Sequence, residues 1–176
     1  MDTSVESEYC WSKYGELMNE TVNWFFKKGF SYREKPWLYD FLYKYSHGVA
    51  LDLGSGIAST TREILKKGFI DRLFLLDLSL TSLMHVCNVN AKLICVYGDV
   101  LNPPFRESFF NTVYLLAILH HIPGRECRLL TLENTYRLLK PSGYCIVTVW
   151  NPRVEELSEI YVLKPVYDGY VLIDNH

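Results

Sequence analysis

The chain has 176 residues, 49% of them hydrophobic and 22% charged, with a formal net charge of −2. That length holds one domain with a substantial core, the composition excludes a disordered chain, and the charge excludes a globally basic nucleic-acid coat while leaving room for a local basic patch. The N-terminus has no basic-then-apolar leader and no apolar run approaches membrane-spanning length, so a cytoplasmic protein is expected. Cys10, Cys87, Cys95, Cys127 and Cys145 form no C-x-x-C pair, and most sit in apolar runs. They are expected to be buried free thiols in a reducing compartment, with no metal site.

Along the chain, Trp11, Tyr14, Met18, Val22, Phe25 and Phe26 recur at helical spacing, which predicts a helix over Glu8–Lys28 stopped by Gly29. Phe30–Trp37 is irregular, and Pro36 opens a helix to about Tyr45. Apolar strands and amphipathic helices then alternate. The strands are Val49–Leu53, Arg72–Leu78, Lys92–Tyr97, Thr112–Leu119 and Tyr144–Trp150; the helices are Thr60–Lys67, Thr81–Val89 and Glu126–Leu139. Strands this apolar, separated by helices, predict a parallel sheet covered on both faces. Ile160–Leu163 and Tyr170–Ile173, with Asp168-Gly169 between them, predict a closing antiparallel hairpin. The whole reads as an α/β, Rossmann-like fold with a seven-stranded, mostly parallel sheet. Residues 1–47 form a helical lid segment on a domain of residues 48–176.

In such a sheet the ligand sits at the carboxyl ends of the strands. The first strand ends in Asp52, Gly54, Ser55 and Gly56; the second ends in Asp77-Leu78, about 20 residues on, where an acid can hold ribose hydroxyls. The third ends in Gly98-Asp99-Val100 and the fourth in Ala117-Ile118-Leu119-His120-His121. Each piece alone has a bland alternative, such as a capping acid or a structural histidine. In order, and each at a strand end, they point to a nucleoside-bearing ligand.

This set resembles the class I S-adenosylmethionine-dependent methyltransferases, whose sheet ends in such a hairpin. The resemblance implies that S-adenosyl-L-methionine lies with its methionine moiety over Gly54, Ser55 and Gly56, its ribose at Asp77 and Leu78, and its adenine at Asp99 and Val100. Asp52 would orient the glycine loop, and Ala117 would border the site. A narrower resemblance lies in Phe30-Ser31-Tyr32-Arg33-Glu34-Lys35-Pro36-Trp37, in His120-His121 with Gly124-Arg125-Glu126, in Tyr136–Pro141, in Val149-Trp150 and in Val166–Ile173. These are similar to segments of the Trm9-like tRNA methyltransferases, which methylate the carboxylate of 5-carboxymethyluridine at the wobble position. The chain departs from that family in its glycine loop, Gly54–Ser59, and in having almost no insertion before the final hairpin.

A carboxylate is already a nucleophile at neutral pH, so such an enzyme needs alignment and exclusion of water rather than a general base. Arg33 is the candidate clamp for the anion, and His121 the second candidate catalytic residue. Arg33, Lys35 and Trp37 are candidate substrate-binding residues, since Lys27, Lys28, Arg33 and Lys35 surround Trp24, Phe30, Tyr32 and Trp37, and aromatics with cations suit unpaired RNA bases; the resemblance adds His120 and Arg125. Their alternative is a lid whose aromatics pack on the sheet. Asn102-Pro103-Pro104-Phe105 resembles an amino-methyltransferase signature but follows the third strand, one element too early, and reads as an ordinary loop. The apolar strand Leu93–Tyr97 is expected at a sheet edge, open to a partner strand. The resemblance implies a small zinc-binding Trm112-like activator there. Two other readings stay open: methylation of a small molecule, and a non-catalytic methyltransferase-like subunit.

Overall fold

A computed structural model describes residues 3–28, 36–87, 91–149, 162–167 and 170–174, with side chains described at 5–24, 36, 38–87 and 91–149. The elements are α1 (Thr3–Lys28), α2 (Pro36–Tyr45), β1 (Val49–Leu53), α3 (Ser59–Lys66), β2 (Arg72–Asp77), α4 (Leu80–Val86) and β3 (Leu93–Tyr97). They continue through β4 (Phe110–Leu116), a 3-10 turn (Leu119–His121), α5 (Arg125–Leu138), β5 (Leu139–Thr148), β6 (Val162–Tyr167) and β7 (Tyr170–Asp174). The main sheet has the order β3-β2-β1-β4-β5 and is parallel throughout. Strand order reverses between β1 and β4, which places the crevice at their carboxyl ends.

The period of two in each strand sorts side chains between two cores. Leu51, Leu53, Leu76, Phe110, Val113 and Leu115 face one side, under α1 and α5. Ala50, Leu73, Leu75 and Tyr114 face the other, under α2, α3 and α4. The helices answer with apolar stripes at helical spacing: Cys10, Tyr14 and Met18 on α1, Cys127, Leu130 and Leu138 on α5, Ile64 and Leu65 on α3.

Four expectations change. Among the described residues the main sheet holds five strands rather than seven: β6 and β7 do form the antiparallel hairpin, but as a two-stranded sheet of their own. Helix α5 ends at Leu138 and β5 begins at once, so Pro141 and Gly143 lie inside the strand. A register shift between Phe110 and Thr112 accommodates them, with Ser142 in the left-handed region (φ 64°). Strand β4 stops at Leu116 because Ala117 turns left-handed (φ 56°), so the two histidines ride on a 3-10 turn. Finally, four of the cysteines are not free: Cys10 pairs with Cys127 and Cys87 with Cys95, each pair with Cα atoms 5.9 Å apart, and Cys145 alone is a free thiol. The packing of α1 on α5 brings together Cys10 and Cys127, which are 117 residues apart in sequence.

Candidate functional site

The carboxyl ends of β1, β2 and β3 are joined by one line of hydrogen bonds. The glycine turn after β1 hangs on the end of β2, with Gly54 N and Ser55 N both donating to Leu76 O (2.8 and 3.1 Å). Gly56 N donates to Asp77 Oδ2 and Ser79 N to Asp77 Oδ1, both at 2.7 Å. Gly98 N donates to Asp77 O (3.2 Å), tying β2 to the end of β3. There Leu101 N donates to Asp99 Oδ1 (2.9 Å), and the indole Nε1 of Trp11, on α1, donates to Asp99 Oδ2 (2.5 Å). Burial pushes the Asp77 carboxyl up, and the two backbone N–H bonds pull it back.

Gly54 is required by shape as well as by its positive φ of 70°. A Cβ there would lie 2.5 Å from Ile118 Cδ1. Ile118 thus closes the turn from the end of β4. Gly56 faces open space, with no atom within 4 Å of where its Cβ would stand. Ser55 Oγ is buried and has no hydrogen-bond partner among the described residues. An orphaned buried hydroxyl costs free energy unless a ligand or water meets it. Helix α3 begins just beyond, behind left-handed Ala58 (φ 51°), with no side-chain cap on its first N–H groups. Such a helix start favours an anionic group.

These features fit the methionine and ribose ends of S-adenosylmethionine. Asp77 uses one acceptor position on each oxygen and keeps further lone pairs for hydroxyls, Ser55 offers an unspent hydroxyl, and Gly56 leaves clearance above the backbone.

The other candidates divide. Asp52, 4% exposed, accepts from Thr61 Oγ1 (2.6 Å); it anchors α3 and so supports the glycine turn from below. Leu78 is half-buried at the exit of β2, and Val100 sits in the core beneath Asp99. Ala117 N donates to Thr148 O and Oγ1, which holds its left-handed turn between β4 and β5. His120 and His121 lie with ring centroids 4.1 Å apart. Burial, then the neighbouring His120, pushes His121 down to about 3, and burial lowers His120. His121 is therefore neutral at physiological pH, not a cation. Arg125 is exposed at the start of α5. Arg33, Lys35 and the side chain of Trp37 lie outside the described residues.

Trp11 and Ser79, which donate to Asp99 and Asp77, were not among the sequence candidates, and Ile118 was named only as part of the strand end. Trp11 reads in the sequence as one more apolar residue of an amphipathic helix; only its indole N–H distinguishes it from the rest. The Asn102–Phe105 loop is structural, with Phe105 packed edge-on to Phe74 and Phe110.

A parallel doubly wound sheet with a glycine turn and acids at successive strand ends is the architecture of the Rossmann-like nucleoside-binding proteins. The family model for the methyltransferase domain matches residues 51–147, and the chain belongs to that family. It is 30% identical over 89 residues to an Arabidopsis thaliana tRNA (carboxymethyluridine(34)-5-O)-methyltransferase, a match covering 51% of this chain and 22% of that protein. It is 35% identical over 101 residues to the Danio rerio mitochondrial arginine-hydroxylase NDUFAF5, covering 56% of this chain and 29% of that one. The chain thus spans less than a third of these curated relatives' length. Among solved structures, the complex between the Haloferax volcanii Trm112 methyltransferase activator and a methyltransferase matches with TM-score 0.51 and 26% identity, over 58% of this chain and 46% of that chain. The PH0226 protein of Pyrococcus horikoshii OT3 shares the fold at TM-score 0.61 and 23% identity, over 73% of this chain and 63% of that one.

Proposed function

We propose that this methyltransferase-family chain uses S-adenosyl-L-methionine to methylate tRNA, with the carboxylate of a 5-carboxymethyluridine-type wobble base as acceptor. The observation that carries the cofactor is the bonded line Gly56–Asp77–Gly98 running on to Asp99, beside the partnerless Ser55 hydroxyl. Gly54, Ser55 and Gly56 take the methionine moiety, Asp77 and Leu78 the ribose, Asp99 and Val100 the adenine. Asp52 and Ala117 hold the turns on either side. Similarity to the Arabidopsis tRNA enzyme supports the acceptor class.

A carboxylate acceptor asks the protein for alignment, charge and dryness. Arg33 supplies the clamp and a neutral His121 supplies an uncharged donor or acceptor, while Lys35, Trp37, His120 and Arg125 contact the RNA. Residues 1–47 cover the site as a helical segment packed on the domain. A small zinc-binding, Trm112-like activator docks on β3, and the reaction is assigned to the cytoplasm as part of the same proposal. The Haloferax complex supports the partner's class, and the exposed apolar side chains flanking β3 support its place.

Tritiated-methyl transfer to bulk tRNA, with the activator present, tests the reaction. Label released by mild base is expected, because the product is an ester; base-resistant label on tRNA would exclude the carboxylate. The similarity to an arginine hydroxylase favours one second reading, in which the same nucleoside site serves a reaction other than methyl transfer to tRNA. Cofactor binding by calorimetry with no methyl transfer to any tRNA pool would overturn the tRNA reading and leave this one standing.

A further inference from the structure

We infer that Trp11 is a positioning residue for purine recognition: its indole N–H fixes the Asp99 carboxylate so that a free lone pair faces a 6-amino group. The inference rests on the cofactor reading above and adds a residue from outside the strand ends. Asp99 Oδ1 is held by Leu101 N and Oδ2 by Trp11 Nε1. One donor on each oxygen fixes the plane of the carboxylate, and about two of its roughly four acceptor positions remain for an incoming amine. The 6-amino group of adenine is a donor, and an acid held in place recognises it better than one free to rotate.

Trp11 is itself held. Cys10, the preceding residue, is bonded to Cys127 of α5. Tyr14, one turn on, fills the space over Gly124, where a Cβ would stand 2.5 Å from its ring, and its hydroxyl donates to Glu126 Oε1 (2.9 Å). Lys13 Nζ bonds the same oxygen at 2.9 Å. Half-buried Trp11 also packs against the core shared by α1 and α5. A side chain anchored on both flanks is a fixed wall, not a plug that the ligand pushes aside. Helix α1 is thereby part of the cofactor site, and a disturbance of its seat on α5 reaches adenine through one hydrogen bond.

The test is calorimetry with S-adenosylhomocysteine and with its analogue carrying purine in place of adenine, which lacks the 6-amino group. Trp11→Phe keeps the ring and removes the donor. It should weaken S-adenosylhomocysteine about tenfold and leave the purine analogue within about twofold. In an Asp99→Ala background the same substitution should change neither ligand. Equal binding of S-adenosylhomocysteine by wild type and Trp11→Phe, tighter binding by the variant, or an equal loss for both ligands overturns the inference while the cofactor reading stands. Wild-type protein that binds neither ligand overturns the cofactor reading first. A wild-type measurement guards against a misfolded variant. The indole proton signal that moves in Asp99→Ala should stay downfield when S-adenosylhomocysteine binds; its collapse to the position of a free indole shows displacement and overturns the inference.

Discussion

At Asp77 one carboxylate holds the glycine turn through Gly56 N and the entry to α4 through Ser79 N. Asp77→Asn leaves one oxygen and sets an amide NH2 against a backbone N–H, so one of the two bonds becomes a clash of donors. Loss of a hydrogen bond to a charged group costs about 1.5–3 kcal/mol. Cofactor affinity should fall about tenfold or more, with a smaller drop in thermal midpoint; calorimetry and a melting curve on the same sample check both, and unchanged affinity removes Asp77 from the site. His121 makes the complementary point about charge. Its folded pKa lies near 3, below the usual 6.5, because burial disfavours the imidazolium. The unfolded chain therefore binds the extra proton first as pH falls. The stability from keeping His121 neutral is fully present above about pH 6.5 and is lost towards pH 3, with about 2 kcal/mol going between pH 7 and 5. Urea titrations at those two pH values should show that loss, and His121→Gln should flatten it. A variant with the wild-type slope would place the titration elsewhere.

Between elements, the decisive joint is α1 on α5. Cys10–Cys127, Tyr14 over Gly124 and the Lys13–Glu126 pair cluster within about one turn of each helix. The exposed ion pair adds little, while the disulfide closes a loop of 117 residues and removes freedom from the unfolded chain. Cys127→Ser, or reduction of the wild type, should lower stability by about 2–4 kcal/mol in a chemical melt. Equal midpoints with and without reductant would show that packing alone seats α1. This joint was the least legible part of the sequence. Strand periodicity, the glycine turn and the acids at 77 and 99 could be read directly, because each is a local pattern with a local cause. The Trp11–Asp99 and Cys10–Cys127 contacts join residues 88 and 117 positions apart, and both depend on the rotation of one helix about its axis. An amphipathic stripe fixes that rotation only roughly. The end of β4 was misread for a related reason: Ile118 and Leu119 continue the apolar run, and only the left-handed turn at Ala117, a conformation the residue type does not announce, ends the strand.

At the scale of the whole molecule, the five-stranded sheet formed by the described residues has two outer strands, β3 and β5. They are not equivalent. Strand β5 carries Pro141 and the register shift near its start, devices that spoil pairing with a further strand. Strand β3 pairs with β2 in unbroken register from Leu93 to Tyr97 and has no such interruption. Its last residue, Tyr97, is 62% exposed, and Leu80 and Met84 on the adjoining α4 are 56% and 68% exposed. Apolar side chains beside a regular edge invite strand addition or aggregation. The chain expressed alone should therefore self-associate, and co-expression with a zinc-binding activator of the proposed class should convert it to a soluble one-to-one complex on size exclusion. Met84→Lys together with Tyr97→Lys changes only exposed positions, so stability should move by about 0.5 kcal/mol or less per site. The double variant should be monodisperse alone and should no longer copurify with the activator. Copurification at wild-type yield would move the partner off β3, and the bulged edge at β5 would be the next place to substitute.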